Sequence, residues 1–282
     1  MSHRHPFLGT ARWLWRRSRV LWSVQVAYMA EYRAEIALWA LSGLLPFIML
    51  AVWGQAEQRS GTLVAPGFGP AELARYFLCA FVVRQFTVVW VVWQFEEDSL
   101  QGRLAGQLLQ PLHPLWRHLA AHYAEQATRL PFVLLIASGF LLLQPSAFHW
   151  PEPQRLLLAL LAVGLAFAIH FLLQSLIACL CFWSERAAAL ERLLYVPYLF
   201  LSGLVAPLQA LPPGWQRAAL ATPFPYLIGF PAQLLAALPE TSLQPFSLAT
   251  GFGVMLLWLG SLWLLLRLLW RAGLRRYSAM GG

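Results

Sequence analysis

The sequence predicts an all-α integral membrane protein with six transmembrane helices. First, 59% of the 282 residues are apolar and only 11% are charged, whereas about 25% of the residues of a soluble domain are charged. Second, six runs approach the roughly 20 apolar residues that a membrane helix needs. They lie near 34–54, 72–94, 117–143, 155–183, 190–210 and 246–270. Third, the arginines fall mostly on one side of the membrane that these spans define.

The segment before the first span, residues 1–33, is predicted to form a cytoplasmic tail with an N-terminal interfacial amphipathic helix. On a helix its arginines group on one side and its larger apolar residues on the other, and its tryptophans suit the headgroup region. A soluble basic arm is the alternative. The segment lacks the apolar core of a signal peptide. The arginines are Arg12, Arg16 and Arg19, the apolar side carries Leu14, Leu21, Val24, Tyr28 and Tyr32, and the tryptophans are Trp13, Trp15 and Trp22.

The distribution of arginine predicts that both termini are cytoplasmic. With the N-terminus inside, fifteen arginines fall on the cytoplasmic side, and only Arg59, Arg155 and Arg217 fall outside. Loops rich in arginine stay on the cytoplasmic side during insertion. The membrane domain is expected to cover residues 34–270, followed by a basic cytoplasmic tail over 271–282. The net charge of +8 fits this bias better than it fits nucleic-acid binding, because the arginines lie beside the apolar runs.

Two connections between spans are predicted to be helical. The first, FEEDSLQGRLAGQLLQPLHP over residues 95–114, has a leucine at every fourth position from Leu100 to Leu112 and two prolines near its end, which predicts a short amphipathic helix. A cytoplasmic helix with one apolar face is suited to docking on another protein. The second connection, residues 212–245, holds two apolar pieces that are too short to cross and are broken by prolines. It predicts short re-entrant helices on the outer side.

Polar side chains within the spans are candidates for function. Arg84 lies near the middle of span two beside Gln85, where a charge costs at least about 2.5 kcal/mol and must face protein or water. It either meets an acidic group of a substrate or pairs with a glutamate of the bundle or of a second chain. His170 and Gln174 lie one turn apart in span four and either hydrogen-bond to other helices or line a transport path.

A further polar group lies on span three. His118, His122, Glu125 and Arg129 recur at helical spacing and share one face, and Glu125 and Arg129 form a favourable i, i+4 pair. The face is either the wall of a proton-sensitive cavity or the headgroup-level start of a helix that packs against the interfacial helix.

The composition argues against nucleotide binding and catalysis in this chain. All 20 basic residues are arginines, so the lysine of a Walker A motif is missing, and no other Gly-rich phosphate loop occurs. Cys79, Cys179 and Cys181 lie within apolar runs, without metal-ligand spacing. The chain contains no H-E-x-x-H or G-x-S-x-G motif and a single aspartate, Asp98. A membrane-embedded transferase or hydrolase, and a scaffold or assembly factor, are the alternatives to a transport protein.

Three stretches resemble sequences of ABC-2 type transporter permeases. AEYRAE, residues 30–35, resembles the segment that leads into span one in that family. GRLAGQLLQPLHP, residues 102–114, resembles the G-x-L-x-x-x-L-L-x-P-L signature of a bacterial branch described as ABC-2 family transporter proteins. FLSGLVAPLQALPPGWQ, residues 200–216, is similar to the end of span five in many ABC-2 exporters. The six spans and the basic interfacial helix also match that family.

The resemblance implies the permease half of an ATP-binding cassette exporter in the bacterial cytoplasmic membrane, which moves a drug-like, lipid or other amphiphilic substrate. Two copies of a separate ATPase would bind ATP and Mg²⁺, so no cofactor is expected in this chain. A second permease, identical or a sister six-span chain, would complete the transporter. The substrate-path candidates are Arg84, Gln85, His170 and Gln174.

The resemblance also implies that the helix after span two is a coupling helix, which sits in a groove of the ATPase. That role is expected for Leu100, Gly102, Arg103, Leu104, Leu108 and Leu109. The acidic residues just before them either pair with Arg33 or Arg103, and so hold this helix to span two and the interfacial helix, or form a solvated turn. These acidic residues are Glu96, Glu97 and Asp98.

Overall fold

The computed structural model describes Val20, Ser23, Val24, Leu38, Leu41 and residues 43–63, 65, 67–184, 186–238 and 247–277. Nearly all of the predicted interfacial helix, Arg33, most of the first half of span one and the end of the basic tail lie outside these residues. The regular structure within the described residues is entirely helical, which confirms the predicted fold class for this part of the chain.

Ten α-helices of the described part are numbered here in chain order. They are α1 (Leu45–Ser60), α2 (Pro70–Thr87), α3 (Val91–Leu100), α4 (Arg103–Leu108), α5 (Pro114–Leu143), α6 (Pro153–Ala178), α7 (Ala187–Leu201), α8 (Pro213–Leu220), α9 (Gly229–Leu235) and α10 (Leu248–Arg276). Proline occupies the first position of α2, α5, α6 and α8, where its missing N–H would have had no partner. Short 3₁₀ helices lie at Pro145–Ala147, Cys179–Phe182, Leu208–Ala210 and Phe224–Tyr226.

Four helical segments of the described part are long and apolar enough to cross a membrane. They are α2 with α3 (Pro70–Leu100), α5 (Pro114–Leu143), α6 with its 3₁₀ helix (Pro153–Phe182) and α10 (Leu248–Arg276). These segments overlap the predicted spans two, three, four and six. Within the described residues, α8 and the helical segment Phe224–Leu235 are bent by 76° relative to each other. They add a fifth crossing if the two together count as one broken span.

The predicted spans one and five differ from the helices observed there. α1 runs to Ser60, beyond the predicted end of span one at residue 54. The helix predicted over 190–210 ends already at Leu201, and the 15 residues of α7 extend about 22 Å, less than the roughly 30 Å of a hydrocarbon core. The chain leaves the helix because Gly203 adopts a φ of 90°, a left-handed conformation that ends a right-handed helix.

Tight packing between α7, α2 and α9 fixes the turn at Gly203. The Tyr76 hydroxyl donates to the Gly203 carbonyl at 2.7 Å, and the Gly229 N–H donates to the Ser202 carbonyl at 2.8 Å. A Cβ atom on Gly203 would lie 2.5 Å from the Tyr76 hydroxyl oxygen and 3.0 Å from Gly229 Cα. This turn therefore requires glycine, which gives a physical reason for the Ser-Gly pair in the stretch 200–216.

The connection between α7 and α10 contains the two short helices that the sequence predicts, α8 and α9. α9 is buried against α2 and α6. Their depth in a membrane stays a prediction.

α2 and α6 lie at the centre of the bundle, and α5 and α10 lie at its periphery. In the most apolar window of each span, 72% of the α2–α3 segment is buried, compared with 11% of α5 and 17% of α10. α6 contacts α2, α3, α7, α9 and α10. Within the described residues, the outward faces of α5 and α10 are therefore free to contact lipid or another chain.

An aromatic cluster joins the ends of α3, α6 and α10. The ring centroids of Phe95, Phe182 and Trp270 lie 5.4–6.0 Å apart in edge-to-face arrangements, which aromatic pairs favour. Gly273 allows the approach, because a Cβ atom there would overlap the Phe182 ring. The three helix ends therefore meet on one side of the bundle, the side predicted to be cytoplasmic.

Candidate functional site

Span two contains a break in its helix. α2 ends at Thr87 and α3 begins at Val91, although the residues between them include neither proline nor glycine. The last carbonyl groups of a helix have no partner within that helix, and in lipid they must find one within the protein. The break therefore needs hydrogen-bond donors from neighbouring helices.

Three side chains supply these donors to three consecutive carbonyl groups. Arg129 Nη1 donates to the carbonyl of Gln85 at 3.1 Å, Gln126 Nε2 to that of Phe86 at 2.8 Å, and His170 Nδ1 to that of Thr87 at 2.6 Å. The first two donors belong to α5 and the third to α6, so the break is held from two sides. Because a carbonyl oxygen accepts hydrogen bonds, the contact assigns the histidine proton to Nδ1.

A backbone amide on the other side of the break also has a partner. The Trp90 N–H donates to His122 Nε2 at 2.8 Å, and His122 Nδ1 lies 2.6 Å from the His118 carbonyl oxygen. Since Nε2 accepts and Nδ1 donates, these two bonds select the neutral imidazole with its proton on Nδ1. The break is thus supported at both of its ends by side chains.

The polar face predicted on span three provides much of this support. His122 and Arg129 are buried, Arg129 also forms an ion pair with Glu125, and His118 Nδ1 lies 3.1 Å from Gln94 Oε1 on α3. None of the four predicted residues lines the cavity described next. His118, His122 and Arg129 of this face are directed at the backbone and side chains of span two, and the wall of a proton-sensitive cavity stays a prediction.

A cavity of about 290 Å³ lies beside the break, between α2, α6, α7 and the residues 88–90. Arg84, His170 and Gln174 line it, so the structure brings together three of the four substrate-path candidates. Gln85, the fourth, is not among the lining residues, and its carbonyl is the acceptor for Arg129. The aromatic residues of the wall are Trp90, Tyr195, Tyr198 and Phe224.

Arg84 lacks a counter-ion within the described residues. Its side chain is buried, with 9% of the residue exposed, its Nε has no hydrogen-bond partner, and the ion pairs of the described residues do not include it. Glu191 lines the same cavity, but its hydrogen bond, at 3.4 Å, is to Gln174 Nε2. The arginine–glutamate pair expected as an alternative is therefore not formed in this part of the chain.

The acidic residues at the end of α3 bind the helix that follows. Arg103 Nε lies 2.6 Å from Asp98 Oδ1, and Arg103 Nη2 lies 3.3 Å from Glu97 Oε1. Hydrogen bonds to Asp98 and Glu97 raise the pKa of the Arg103 guanidinium. Gln107 Nε2 adds a bond of 2.7 Å to Asp98 Oδ2. These contacts hold α4 to α3.

Glu96 makes a different contact, with the first turn of α7. Its Oε2 accepts the Ala188 N–H at 2.6 Å. The N-terminus of a helix carries unsatisfied N–H groups and a partial positive charge, both of which favour a carboxylate. Glu96 therefore fastens α3 to the helix that carries Glu191, Tyr195 and Tyr198 of the cavity.

The helix after span two is shorter than predicted. The chain turns at Gln101 and Gly102, where Gly102 adopts a φ of 71°, and α4 covers Arg103–Leu108 alone. The continuous leucine face expected from Leu100 to Leu112 is therefore wrong. A positive φ interrupts the four-residue periodicity after its first leucine.

The leucines of this connection divide into buried and exposed residues. Leu104 is completely buried within the chain and Leu108 packs against the core, so both belong to the fold. Leu100 is half exposed, and Leu109 is 89% exposed. Of the coupling residues expected from the sequence, the exposed ones are Leu100, Arg103 and Leu109.

Sequence reasoning missed the break, the capping role of Gln126 and the part of the cavity formed by α7. Gln126 lies four residues after His122 and three before Arg129, which places it on the polar face already recognised. Glu191, Tyr195 and Tyr198 also recur at spacings of four and three, the spacing of one helical face. These two spacings are the sequence patterns from which the role of Gln126 and the α7 side of the cavity could have been predicted.

The described residues define a class of protein: a multi-pass α-helical membrane protein with a cavity between its helices that four polar side chains line. Their cysteines are free thiols, and they contain no cluster of His, Cys, Asp or Glu that could hold a metal ion. A model of the family described as "ABC-2 family transporter protein" matches residues 61–281. The chain therefore belongs to this family, which confirms the resemblance to ABC-2 type permeases and supports a permease-type transport role. No curated protein and no solved structure matches the chain.

Proposed function

We propose that the chain is the transmembrane permease subunit of an ATP-binding cassette exporter, and that the cavity beside the break belongs to its substrate path. The observation that carries this proposal is Arg84, a buried cation that faces the cavity without a carboxylate partner among the described residues. Family membership supports a transport role. A drug-like or lipid amphiphile fits best, with an acidic group for Arg84 and an apolar body for the aromatic wall.

The energy for transport is proposed to come from a separate ATPase through α3 and α4. Arg103 joins α4 to α3, Glu96 joins α3 to α7, and α7 carries Glu191 of the cavity wall. A movement of α4 would therefore be transmitted to the cavity through the contacts of Arg103 and Glu96 and through α7. ATP and Mg²⁺ would be bound by the ATPase, since this chain has no lysine for a Walker A motif.

The proposed complex contains two ATPase subunits and a second permease, identical or a sister chain, in the bacterial cytoplasmic membrane. The exposed apolar faces of α5 and α10 support contact with lipid and a second permease. The arginines at the end of α10 support a cytoplasmic C-terminus, and the aromatic cluster brings the end of α3 to the same side.

The substrate path is tested with the chain and its ATPase reconstituted in liposomes, using a panel of anionic and neutral amphiphiles. Arg84→Gln removes the charge, and Arg217→Gln, on the exposed surface of α8, is the matched control. We expect anionic compounds to stimulate ATP hydrolysis. Arg84→Gln should raise the concentration that gives half-maximal stimulation about tenfold or more, because a hydrogen bond to a charged group contributes about 1.5–3 kcal/mol. Equal responses of the two variants would exclude Arg84 from the path.

The contact with the ATPase is tested by co-purification. Leu109→Arg places a charge on the most exposed leucine of the connection, and Gln110→Arg places the same charge on its exposed neighbour. We expect the first variant to lose the ATPase and the second to retain it. Retention by both would reject the docking site, and a purified transporter without any ATPase would favour the alternatives of an embedded enzyme or a scaffold.

A further inference from the structure

A second cavity lies on the opposite side of α6 from the proposed substrate path. It has a volume of about 630 Å³, within the roughly 300–1,000 Å³ of sites that hold small molecules, and it opens between the start of α5, the end of α6 and the end of α10. These helix ends meet on the side predicted to be cytoplasmic. The groove is therefore at the level where a membrane changes from acyl chains to headgroups.

Two arginines and no acidic residue line this groove. Arg267 and Arg271, one turn apart on α10, both line it, and both are exposed. The Arg267 guanidinium carbon lies 4.4 Å from the centre of the Trp263 ring, and neither arginine takes part in an ion pair of the described residues. No carboxylate is among the lining residues, so the groove carries a positive charge that the described chain does not neutralise.

Apart from His113, the other residues that line the groove are aliphatic or aromatic. Leu119 of α5 and Phe171 and Leu172 of α6 line it. Along α10 the lining runs from Trp263 to Arg271, a distance of about 12 Å. A largely apolar groove of this length that carries two cations and no carboxylate is complementary to an amphiphile with an anionic head.

We propose that this groove binds an anionic phospholipid of the adjacent leaflet. The lipid phosphate contacts Arg267 and Arg271, and an acyl chain lies along Leu119, Phe171 and Leu172. A zwitterionic lipid is bound more weakly, because its cationic headgroup meets two arginines and no carboxylate. Basic pockets between helices on the cytoplasmic side are suited to such headgroups. The site is separate from the substrate path, and the proposal stands whether or not the chain exports an amphiphile.

The test uses the full-length chain, purified and delipidated in detergent, and native mass spectrometry to count bound lipids. Phosphatidylglycerol and phosphatidylcholine are titrated separately. We expect tighter binding of phosphatidylglycerol, and an affinity loss on the order of tenfold to thirtyfold in the double variant Arg267→Gln/Arg271→Gln, the effect of removing two surface cations. The control Arg275→Gln/Arg276→Gln removes the same charge beyond the groove and is expected to bind as the unmodified chain does.

A second variant tests the apolar part without changing charge. Leu119→Trp fills the groove and is expected to reduce phosphatidylglycerol binding while the protein remains monodisperse. The proposal is overturned if the two lipids bind equally, if the control pair weakens binding as much as the groove pair, or if Leu119→Trp binds normally. A change in oligomeric state without a change in lipid binding would assign the groove to a subunit interface and would also overturn it.

Discussion

Gln126 provides a direct test of the side-chain bonds that hold the break in span two. It donates to the Phe86 carbonyl at 2.8 Å, and Gln126→Leu removes the donor while keeping a similar volume. An unsatisfied buried polar group costs about 1–3 kcal/mol, and hydrogen bonds between membrane helices contribute about 0.6–2 kcal/mol. We therefore expect the variant to lose about 1–2 kcal/mol of stability.

The assay is thermal unfolding in detergent, followed by the fluorescence of the 14 tryptophans. A loss of this size lowers the melting temperature by about 2–8 °C in a chain of this length. Ala127→Leu is the control, because residue 127 is exposed on the next position of the same helix and makes no bond to span two. If Gln126→Leu melts within a degree or so of this control, the carbonyl does not depend on Gln126 and the account of the break is incorrect.

Three further predictions concern single residues. Gly203→Ala should destabilise the protein by about 2–5 kcal/mol, because it adds backbone strain and a clash with Tyr76. The control Gly164→Ala, which has open space around its Cβ position, should not be destabilised, so comparable melting temperatures of the two variants would contradict the prediction. Burial lowers the pKa of His113, so folding favours its neutral form. The contribution of this group to stability should be complete above pH ~6.5 and should decrease as the pH falls below that value. An equal decrease in the His113→Asn variant would assign the effect to another group. Glu96→Gln should reduce the substrate stimulation of ATP hydrolysis without releasing the ATPase, and unchanged stimulation would remove this residue from the coupling route.

The sequence was sufficient for the helical class, the family and the approximate places of four membrane-length segments. Hydropathy predicts these because apolar length is what a membrane requires of a helix. It overestimated span five, since the run 190–210 stays apolar while Gly203 turns the backbone. Hydropathy measures the environment of side chains and carries no information about φ.

The candidate site was predicted in part. Arg84, His170 and Gln174 were selected because polar groups are rare in membrane spans, and the structure places all three at one cavity. Their neighbours on α7 were not predicted, because tyrosines in a membrane span are also typical of the membrane interface. The leucine periodicity failed at Gly102, where one residue with positive φ separates two helices that the pattern had joined.

The break in span two has a mechanical consequence, because no proline imposes it. Residues 88–90 keep all of their N–H groups, so the same three residues can also wind into one further helical turn. A residue advances about 3.3 Å when extended and 1.5 Å in a helix. Winding these three residues would shorten the distance between Arg84 and the cytoplasmic end of α3 by at most about 5 Å, which is comparable to one turn of helix.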